Sequence, residues 1–486
     1  MIQNELYQKA EKNQAHFTNP PVVLKQNKQA PLLSHTGVVI ARNLIKRLGI
    51  AETIDENLAL LQRHKPYSES DHVLNMVYNF LTGGEKLLDI ERLQEEKSFL
   101  RVLGAESVPD PTTAGDFLVR FSDDDIDTLQ ASLDQAQDDA LFLLEKDKKG
   151  RATIDSDSSI YEVYGKKKKE GADYSYNKKW SYNGLHLTLA ETGDIVYQEL
   201  REGSRYSSDG LKELLPGTIE RLQKHFRKVR YRADSAFYDK GIVNICDERG
   251  VEFFIVADQT GRILTEVVDI EEDAWKPFNN RKNKLNKGGK KAKKRKKRKN
   301  HKRAVGLRGN PDMKFKGKAE IASFVYQPVG WEKAYRFVVK RTEIVDKDNQ
   351  LYLEDGLCKY VYYIVVTNSN KSDSAVMRIA QGRANQENLI KDFKDGLGLS
   401  HVPTGFFNAN KVYFKIAALA WNIKTWMLNL LKIGDGSALR FKRFLYKWIY
   451  QAGIVSITGR NTVVIRIPEG GYFHRFQRAL NRMDVL

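Results

Sequence analysis

Three acidic residues in separate parts of the chain are candidates for chemistry. Asp157 and Asp234 lie in or directly after short apolar segments with strand character, and Glu387 lies in a helical segment much further along. Magnesium prefers carboxylate oxygens as ligands, and two such ions ~3.5–4 Å apart can orient a nucleophile and neutralise charge at phosphorus. Three converging carboxylates would therefore suit phosphodiester cleavage and transfer.

The first of these carboxylates has a close neighbour of the same type. Asp155 precedes Asp157 by two residues, and side chains two apart in a strand point to the same face. Either aspartate could therefore be the first metal ligand. Each aspartate taken alone is also typical of a turn or a helix cap.

The segment around Glu387 carries cations at helical spacing. A helix places Arg383, Lys391 and Lys394 on the same face as Glu387. A carboxylate among three cations suits a metal ligand beside phosphate groups, with the cations as DNA contacts. An exposed helix with ordinary ion pairs four residues apart explains the same spacing.

The elements that must position these residues follow a distinctive order. Periodicity predicts three consecutive antiparallel strands, a helix, a strand, a second helix and a final strand. A ribonuclease-H-like core requires this order, because right-handed helical crossovers place the fourth strand beside the first. Asp157 and Asp234 would then lie close together. The predicted strands cover 153–157, 184–191, 194–201, 229–232 and 253–257, and the helices 211–226, with a break or kink at Pro216, and 241–249.

The remaining segments complete a prediction of a multidomain α/β protein. Apolar stripes at helical spacing predict a helical N-terminal DNA-binding domain, with Ser68 or Ser70 capping one helix and a further helix over 86–103. The predicted boundaries are a flexible arm (1–30), the helical domain (31–148), the first part of the core (149–258), a β-stranded insertion domain (259–370), the second part of the core with helices over 374–397 and 406–431 (371–432), and a C-terminal accessory region (433–486).

The positive charge is concentrated in one segment. The range 281–303 holds fifteen Lys or Arg and no Asp or Glu, and without it the formal charge of +18 falls to +3. A nucleic-acid contact and a solvated loop both explain such a run. The candidate DNA-binding residues in it are Lys290, Lys291, Lys293, Lys294, Arg295, Lys296, Lys297, Arg298 and Lys299.

Composition excludes several other classes of protein. The two cysteines, Cys246 and Cys358, are far apart, which argues against a disulfide framework or a zinc finger. No apolar run is long enough for a membrane span, and the N-terminus lacks the apolar core of a secretory signal. We therefore expect a cytoplasmic protein with no membrane partner.

The combination resembles the DDE transposases of bacterial insertion sequences, specifically the cut-and-paste group with a β-stranded insertion before the glutamate. That group has a signature of Tyr, two residues, Arg, three residues, Glu, six residues and Lys. This chain matches it at Arg383, Glu387 and Lys394, but has Ala380 in place of the tyrosine. The segment Ile154 to Ser159 is similar to the first-aspartate strand and favours Asp157 over Asp155, and Arg232 to Phe237 is similar to the second.

The resemblance implies an activity and its partners. It implies DNA cleavage at terminal inverted repeats and strand transfer into target DNA, with two Mg²⁺ ions that Mn²⁺ replaces, and a homodimer that pairs two transposon ends. It also implies a DNA hairpin intermediate, for which Trp275 and Trp331 are the candidate base-holding residues. A nuclease that cleaves without joining, and a basic DNA-binding protein without catalysis, are the alternative classes.

Overall fold

Alternating apolar side chains build one large sheet through the middle of the molecule. The computed structural model describes residues 31–62, 66–164, 169–175, 178–278, 318–343, 360–433, 439–458, 462–468 and 471–486. The central strands are β2 (Ala152–Glu162), β3 (Asp173–Tyr174), β4 (Trp180–Leu189), β5 (Ile195–Arg201), β6 (Val229–Ala233), β7 (Glu252–Val256), β8 (Lys276–Pro277), β9 (Ala319–Tyr326), β10 (Tyr335–Glu343) and β11 (Tyr360–Thr367), and a smaller sheet holds β1 (Leu32–Leu33), β12 (Gly453–Thr458) and β13 (Thr462–Arg466).

The sheet order brings distant acidic residues together. It runs β3-β4-β2-β6-β7-β11-β10-β9-β8, with β5 paired to β4. β6 is parallel to both β2 and β7, with Asp155 opposite Arg232 and Ser156 opposite Ala233. The first and fourth predicted strands are therefore neighbours, and Asp157 and Asp234 follow paired residues at the same end of the sheet.

The strands between 259 and 370 continue this sheet. β11 pairs antiparallel with β7, and β10 and β9 follow in antiparallel order. The described strands of this segment therefore belong to the same sheet as the strands that precede them.

Helices cover the sheet and form most of the N-terminal region. They are α1 (Val38–Arg47), α2 (Ile50–Asn57), α3 (Glu69–Leu81), α4 (Ile90–Glu95), α5 (Lys97–Leu103), α6 (Pro111–Val119), α7 (Asp123–Phe142), α8 (Leu211–His225), α9 (Lys240–Glu248), α10 (Gly261–Val268), α11 (Asp373–Gln381), α12 (Ala384–Gly396), α13 (Phe407–Leu430), α14 (Phe441–Phe444, continued by a π-helix over Leu445–Ile449) and α15 (Gly471–Met483). None of these described helices combines the length and apolarity that a membrane span requires.

The apolar helix α13 joins the sheet to the N-terminal helices. Its Asn422 accepts a hydrogen bond from the Ile195 amide and donates one to the Ile195 carbonyl, both at 2.8 Å. The amide side chain thus satisfies backbone groups at the edge of β5, where a further strand would otherwise pair. Apolar side chains of α1, α3 and α6 belong to the same buried cluster as those of α13.

Several predicted elements have different bounds. The helix predicted over 86–103 is divided into a 3₁₀ turn, α4 and α5, whereas α8 continues through Pro216 without a break. Ser68 caps α3 with a reciprocal bond to Asp71, while Ser70 lies inside that helix and bonds Asp55. The helix predicted over 374–397 is two helices, α11 and α12, separated at Gly382.

Candidate active site

The aspartates at the ends of β2 and β6 are oriented in the same way. Oδ1 of Asp157 accepts a hydrogen bond from the Ser158 amide at 2.9 Å. Oδ1 of Asp234 accepts one from the Ala236 amide at 3.1 Å, where the chain turns from β6 into a short 3₁₀ helix. Each carboxylate therefore has one oxygen held by its own backbone and one oxygen that can face a shared partner.

That shared partner is the Arg383 guanidinium. Its Nη1 lies 3.1 Å from Oδ2 of Asp157, and its Nη2 lies 3.5 Å from Oδ2 of Asp234 and 3.9 Å from Oε1 of Glu387. The structure thus brings all three predicted carboxylates to one cation. They come from β2, the end of β6 and α12, which are far apart in sequence.

The three carboxylates differ in their access to solvent. The side chains of Asp157, Asp234 and Glu387 are 14%, 32% and 66% exposed. Burial raises the pKa of Asp157 to about 6, and the charges of Asp234 and Glu387 add to this shift, while Arg383 opposes it. The site is therefore a partly desolvated concentration of negative charge that a cation stabilises.

The donor set suits divalent ions such as Mg²⁺, because three carboxylates provide hard oxygen ligands at an accessible sheet end. Among the residues that the structure describes, no three acidic, His or Cys side chains form a ready metal site. The Arg383 guanidinium lies within 3.9 Å of all three carboxylates. Its buried Nη1 has no well-oriented hydrogen-bond partner, although it lies only 3.1 Å from Asp157. Metal binding by these residues therefore requires Arg383 to move aside.

Asp155 has a different environment from Asp157. Arg232 donates to both its carboxylate oxygens, at 2.6 and 2.5 Å, and the Asp155 side chain is only 2% exposed. Burial raises the pKa of Asp155, and the Arg232 guanidinium opposes that shift. The side-chain amide of Gln386 also donates to the Asp155 carbonyl. Asp155 is therefore an internal counterion, and Asp157 is the carboxylate that faces the site.

The other cations of the predicted helical face do not surround Glu387. Lys394 donates to the Ile160 carbonyl at 2.7 Å and lies over the ring of Tyr161. Lys391 is exposed on α12. Lys394 is therefore directed toward β2, whereas Arg383 lies 3.9 Å from Glu387.

A tyrosine that sequence analysis missed lies on the same face of the sheet. Tyr363 is two residues before Val365, which pairs with Val256 of β7, and it packs against the cluster that contains Val365 and Ala380. Burial raises the pKa of Tyr363, and the charges of Arg383 and Asp234 act on it in opposite directions. The sequence clue was Ala380, a small residue at the position where the signature has tyrosine. The sequence alone does not show which tyrosine packs beside Ala380.

The two candidate tryptophans have different surroundings. Trp275 is 8% exposed, and the Arg341 guanidinium covers its ring at 4.2 Å. Trp331 is half-buried and its ring lies 5.3 Å from that of Tyr238, four residues after Asp234. The basic candidates between Lys290 and Lys299, and the N-terminal arm over 1–30, lie outside the described residues.

The comparison with protein families agrees with the sequence motifs. The family model described as transposase DDE domain group 1 matches residues 16–484. No protein of curated function matches the sequence. Among solved structures, the fold is similar to the cryo-EM structure of a piggyBac transposase synaptic complex with hairpin DNA, with a TM-score of 0.41 and 11% identity over 85% of this chain and 79% of that one. Because the family model spans nearly the whole chain, this protein belongs to the DDE transposases of group 1.

Proposed function

We propose that this transposase cuts DNA at the terminal inverted repeats of an insertion sequence and joins the freed ends to target DNA by a cut-and-paste route. Asp157, Asp234 and Glu387 are the proposed metal ligands, with Mg²⁺ as the ion and Mn²⁺ as its substitute. The observation that carries the proposal is the convergence of these three carboxylates, from three separate elements, on the Arg383 guanidinium.

The bound ions would activate the attacking water or 3′-hydroxyl and neutralise the charge that develops at phosphorus. The backbone amides of Ser158 and Ala236 fix the two aspartates, so both carboxylates keep their outward oxygens toward the same point. Arg383 holds the carboxylates together before substrate binds. A guanidinium at this position suits a phosphate oxygen equally well, so Arg383 would exchange its carboxylate contacts for the DNA backbone.

Tyr363 extends the proposed site from the strand side. Its phenol lies on the face that carries the carboxylates, and it is a neutral hydrogen-bond donor beside a concentration of charge. Its hydroxyl has no hydrogen-bond partner among the described residues. We include Tyr363 among the residues that contact the phosphate group at the cleavage position.

The larger assignments follow the same proposal. The order β5-β4-β2-β6-β7, with parallel pairing from β2 to β7, supports a ribonuclease-H-like core. The helical region 31–148 is the proposed reader of the terminal repeats, and the basic segment 281–303 a clamp on the DNA backbone. Pairing of two ends favours a homodimer.

The test is cleavage and joining of DNA duplexes that carry the ends flanking this gene, with Mg²⁺ or with EDTA. Asp234→Asn keeps the size of the side chain and its acceptor for the Ala236 amide, but removes a charge from the site. We expect this variant to lose at least 100-fold in cleavage rate and to bind DNA as the wild type does.

Asp239→Asn is the matched control. Asp239 caps α9 outside the carboxylate cluster, and asparagine caps helices equally well, so its cleavage should stay at the wild-type level. Mg²⁺-dependent cleavage without any joined product would identify a nuclease instead. Full cleavage by Asp234→Asn would remove Asp234 from the site.

A further inference from the structure

A basic cleft lies at the far end of α13 from its first turn. Its volume is about 760 Å³, and it is bounded by the last residues of α13, by α14 and by α15. Glu145 is the one acidic side chain among the described residues that line it. The lining cations come from three segments of the chain and are Lys432, Lys447, Arg475, Arg478 and Arg482.

Helix α15 presents three of these cations as a stripe. Phe476, Ala479 and Met483 are its buried side chains, and the ring of Phe476 packs near that of Trp448 in the π-helix. Arg475, Arg478 and Arg482 are exposed. Residues three and seven positions apart lie along one side of a helix, so the three guanidinium groups extend along ~10 Å of the cleft.

The three arginine side chains of α15 make few contacts with other described residues. Arg475 lies over the ring of Tyr472, and Arg478 donates to the His474 carbonyl. Arg482 is 3.9 Å from Glu145, which also pairs with Lys432. Lys432 and Arg482 thus share the Glu145 carboxylate, and neither Arg475 nor Arg478 is within ion-pair distance of a carboxylate among the described residues.

The imbalance extends over the C-terminal region. Its described residues from 439 onwards include only one acidic residue, Asp484. The cations among the same residues are Arg440, Lys442, Arg443, Lys447, Arg466, Arg475, Arg478 and Arg482. This positive charge is separate in sequence from the basic segment 281–303, and most of it is carried by α14, its π-helical continuation and α15.

The cleft is distant from the carboxylates. Lys415 of α13 bonds the Gln198 carbonyl, and Gln198 pairs through His186 with Asp157 across the sheet. Lys415 therefore marks the level of the active site along α13. The cleft begins fourteen residues later at Asn429, roughly 21 Å further along the helix axis at ~1.5 Å per residue.

We propose that this cleft and the exposed stripe of α15 bind the phosphate backbone of duplex DNA outside the cleavage position. The inference rests on the proposed function, because it assumes that DNA is the substrate of the carboxylate site. At ~3.4 Å per base pair, a separation of ~21 Å corresponds to roughly six base pairs, so one duplex can reach both sites. Contacts to phosphates at this distance hold the duplex without reading its sequence.

The test measures DNA affinity as a function of salt concentration in EDTA, so that no metal chemistry is involved. The probe is a 30-base-pair duplex of arbitrary sequence, and the variant is Arg475→Gln/Arg478→Gln/Arg482→Gln. Loss of three phosphate contacts should reduce the slope of log affinity against log salt by about 2.7, at ~0.9 per contact. An unchanged melting temperature would show that the variant folds normally.

The matched control neutralises three cations that already face carboxylates. In Lys212→Gln/Lys240→Gln/Arg249→Gln the net charge changes equally, but each side chain is ion-paired in the structure. The control should keep the wild-type slope. The inference would be overturned if the slope of log affinity against log salt were the same in both triple variants. It would also be overturned if the α15 variant kept the wild-type slope.

Two further outcomes separate this inference from the proposed function. If the α15 variant keeps the wild-type slope but Mg²⁺-dependent cleavage by the wild type is observed, the cleft assignment fails and the transposase assignment stands. If the α15 variant changes the mass in light scattering but not the slope, the cleft binds an acidic surface of a second copy, which also overturns the inference.

Discussion

The Arg383 guanidinium is the positive charge next to the three candidate carboxylates in this structure. It lies within ion-pair distance of Asp157, Asp234 and Glu387, so mutual repulsion of the acids is offset by one internal cation. Such a cation keeps the ligands close together without a metal and leaves them accessible at the end of the sheet. An exchange between guanidinium and metal is therefore part of the proposed chemistry.

Tyr363→Phe tests the proposed phosphate contact of the phenol. The variant removes one hydroxyl and keeps the ring that packs against the Ala380 cluster. Because a hydrogen bond to a charged group contributes ~1.5–3 kcal/mol, we expect cleavage to slow by roughly 10- to 100-fold, with stability unchanged. Tyr362→Phe, one residue away on the opposite face of β11, should cleave at the wild-type rate. Equal rates for both variants would exclude Tyr363 from the site.

His186 gives the fold a defined dependence on pH. Burial lowers its pKa to about 3, and the charges of Arg201 and Lys394 act in the same direction. The unfolded chain binds a proton near pH 6.5 and the folded chain does not, so stability is lost as the pH falls through 6.5.

Urea unfolding of the wild type and His186→Gln in EDTA measures this effect. As the pH falls from 6.5 to 4.5, the wild type should lose ~1.4 kcal/mol of unfolding free energy per pH unit relative to the variant. A difference independent of pH would show that the pKa of His186 is the same in the folded and the unfolded protein.

For single residues, the sequence predicted which side chains are candidates for chemistry better than it predicted which side chains they contact. Asp157, Asp234 and Glu387 were predicted as metal ligands from their strands, helix and signature, and the structure brings all three within ion-pair distance of Arg383. The choice between Asp155 and Asp157 depended on Arg232, whose bidentate contact with Asp155 comes from strand register. Tyr363 was missed for the same reason, because its proximity to Ala380 arises only when β11 packs against α11.

The separation of α11 and α12 is the element-scale feature on which the site depends. Nη1 of Arg232 donates to the Ile379 carbonyl at 2.9 Å, and the Gly382 amide donates to the same carbonyl. In a continuous helix that carbonyl would accept from Arg383. The chain therefore turns at Gly382, and Arg383 is directed toward the carboxylates.

Gly382→Ala should disturb this turn. A Cβ at Gly382 would lie 2.5 Å from Nη1 of Arg232, which is fixed by Asp155. We expect a loss of about 1–3 kcal/mol in unfolding free energy and slower cleavage, because Arg232 and Arg383 are both displaced. Gly217→Ala in α8 has open space around its Cβ and should stabilise the protein by ~0.5–1 kcal/mol. Wild-type stability of the Gly382 variant would contradict this account of the turn.

Local patterns predicted the long elements but not their interruptions. Sequence patterns located α3 and α13 and the strands β2 and β4 to β7, because their apolar residues recur at helical or strand spacing or form short apolar runs. The break at Gly382 results from a bond with Arg232 on another element, which no local pattern contains. The continuation of α8 through Pro216 was likewise not predicted.

At the scale of the whole molecule, the described N-terminal and C-terminal segments pack together. β1 pairs with β12, and the Thr36 and Gly37 amides donate to carbonyls of Gln451 and Ile449. The C-terminal region was expected to be an accessory region. Its pairing with β1 and its helix α15 were not predicted, because their apolar contacts are with distant parts of the chain.

The most direct test of the central claim is the rate of Mg²⁺-dependent cleavage of the flanking DNA ends by Glu387→Gln. Glu387 is 66% exposed and contacts only Arg383 among the residues of the site, so its replacement should leave the fold and DNA binding intact. We predict a loss of at least 100-fold in cleavage, with unchanged DNA affinity and melting temperature. Cleavage at the wild-type rate would contradict a site built from Asp157, Asp234 and Glu387.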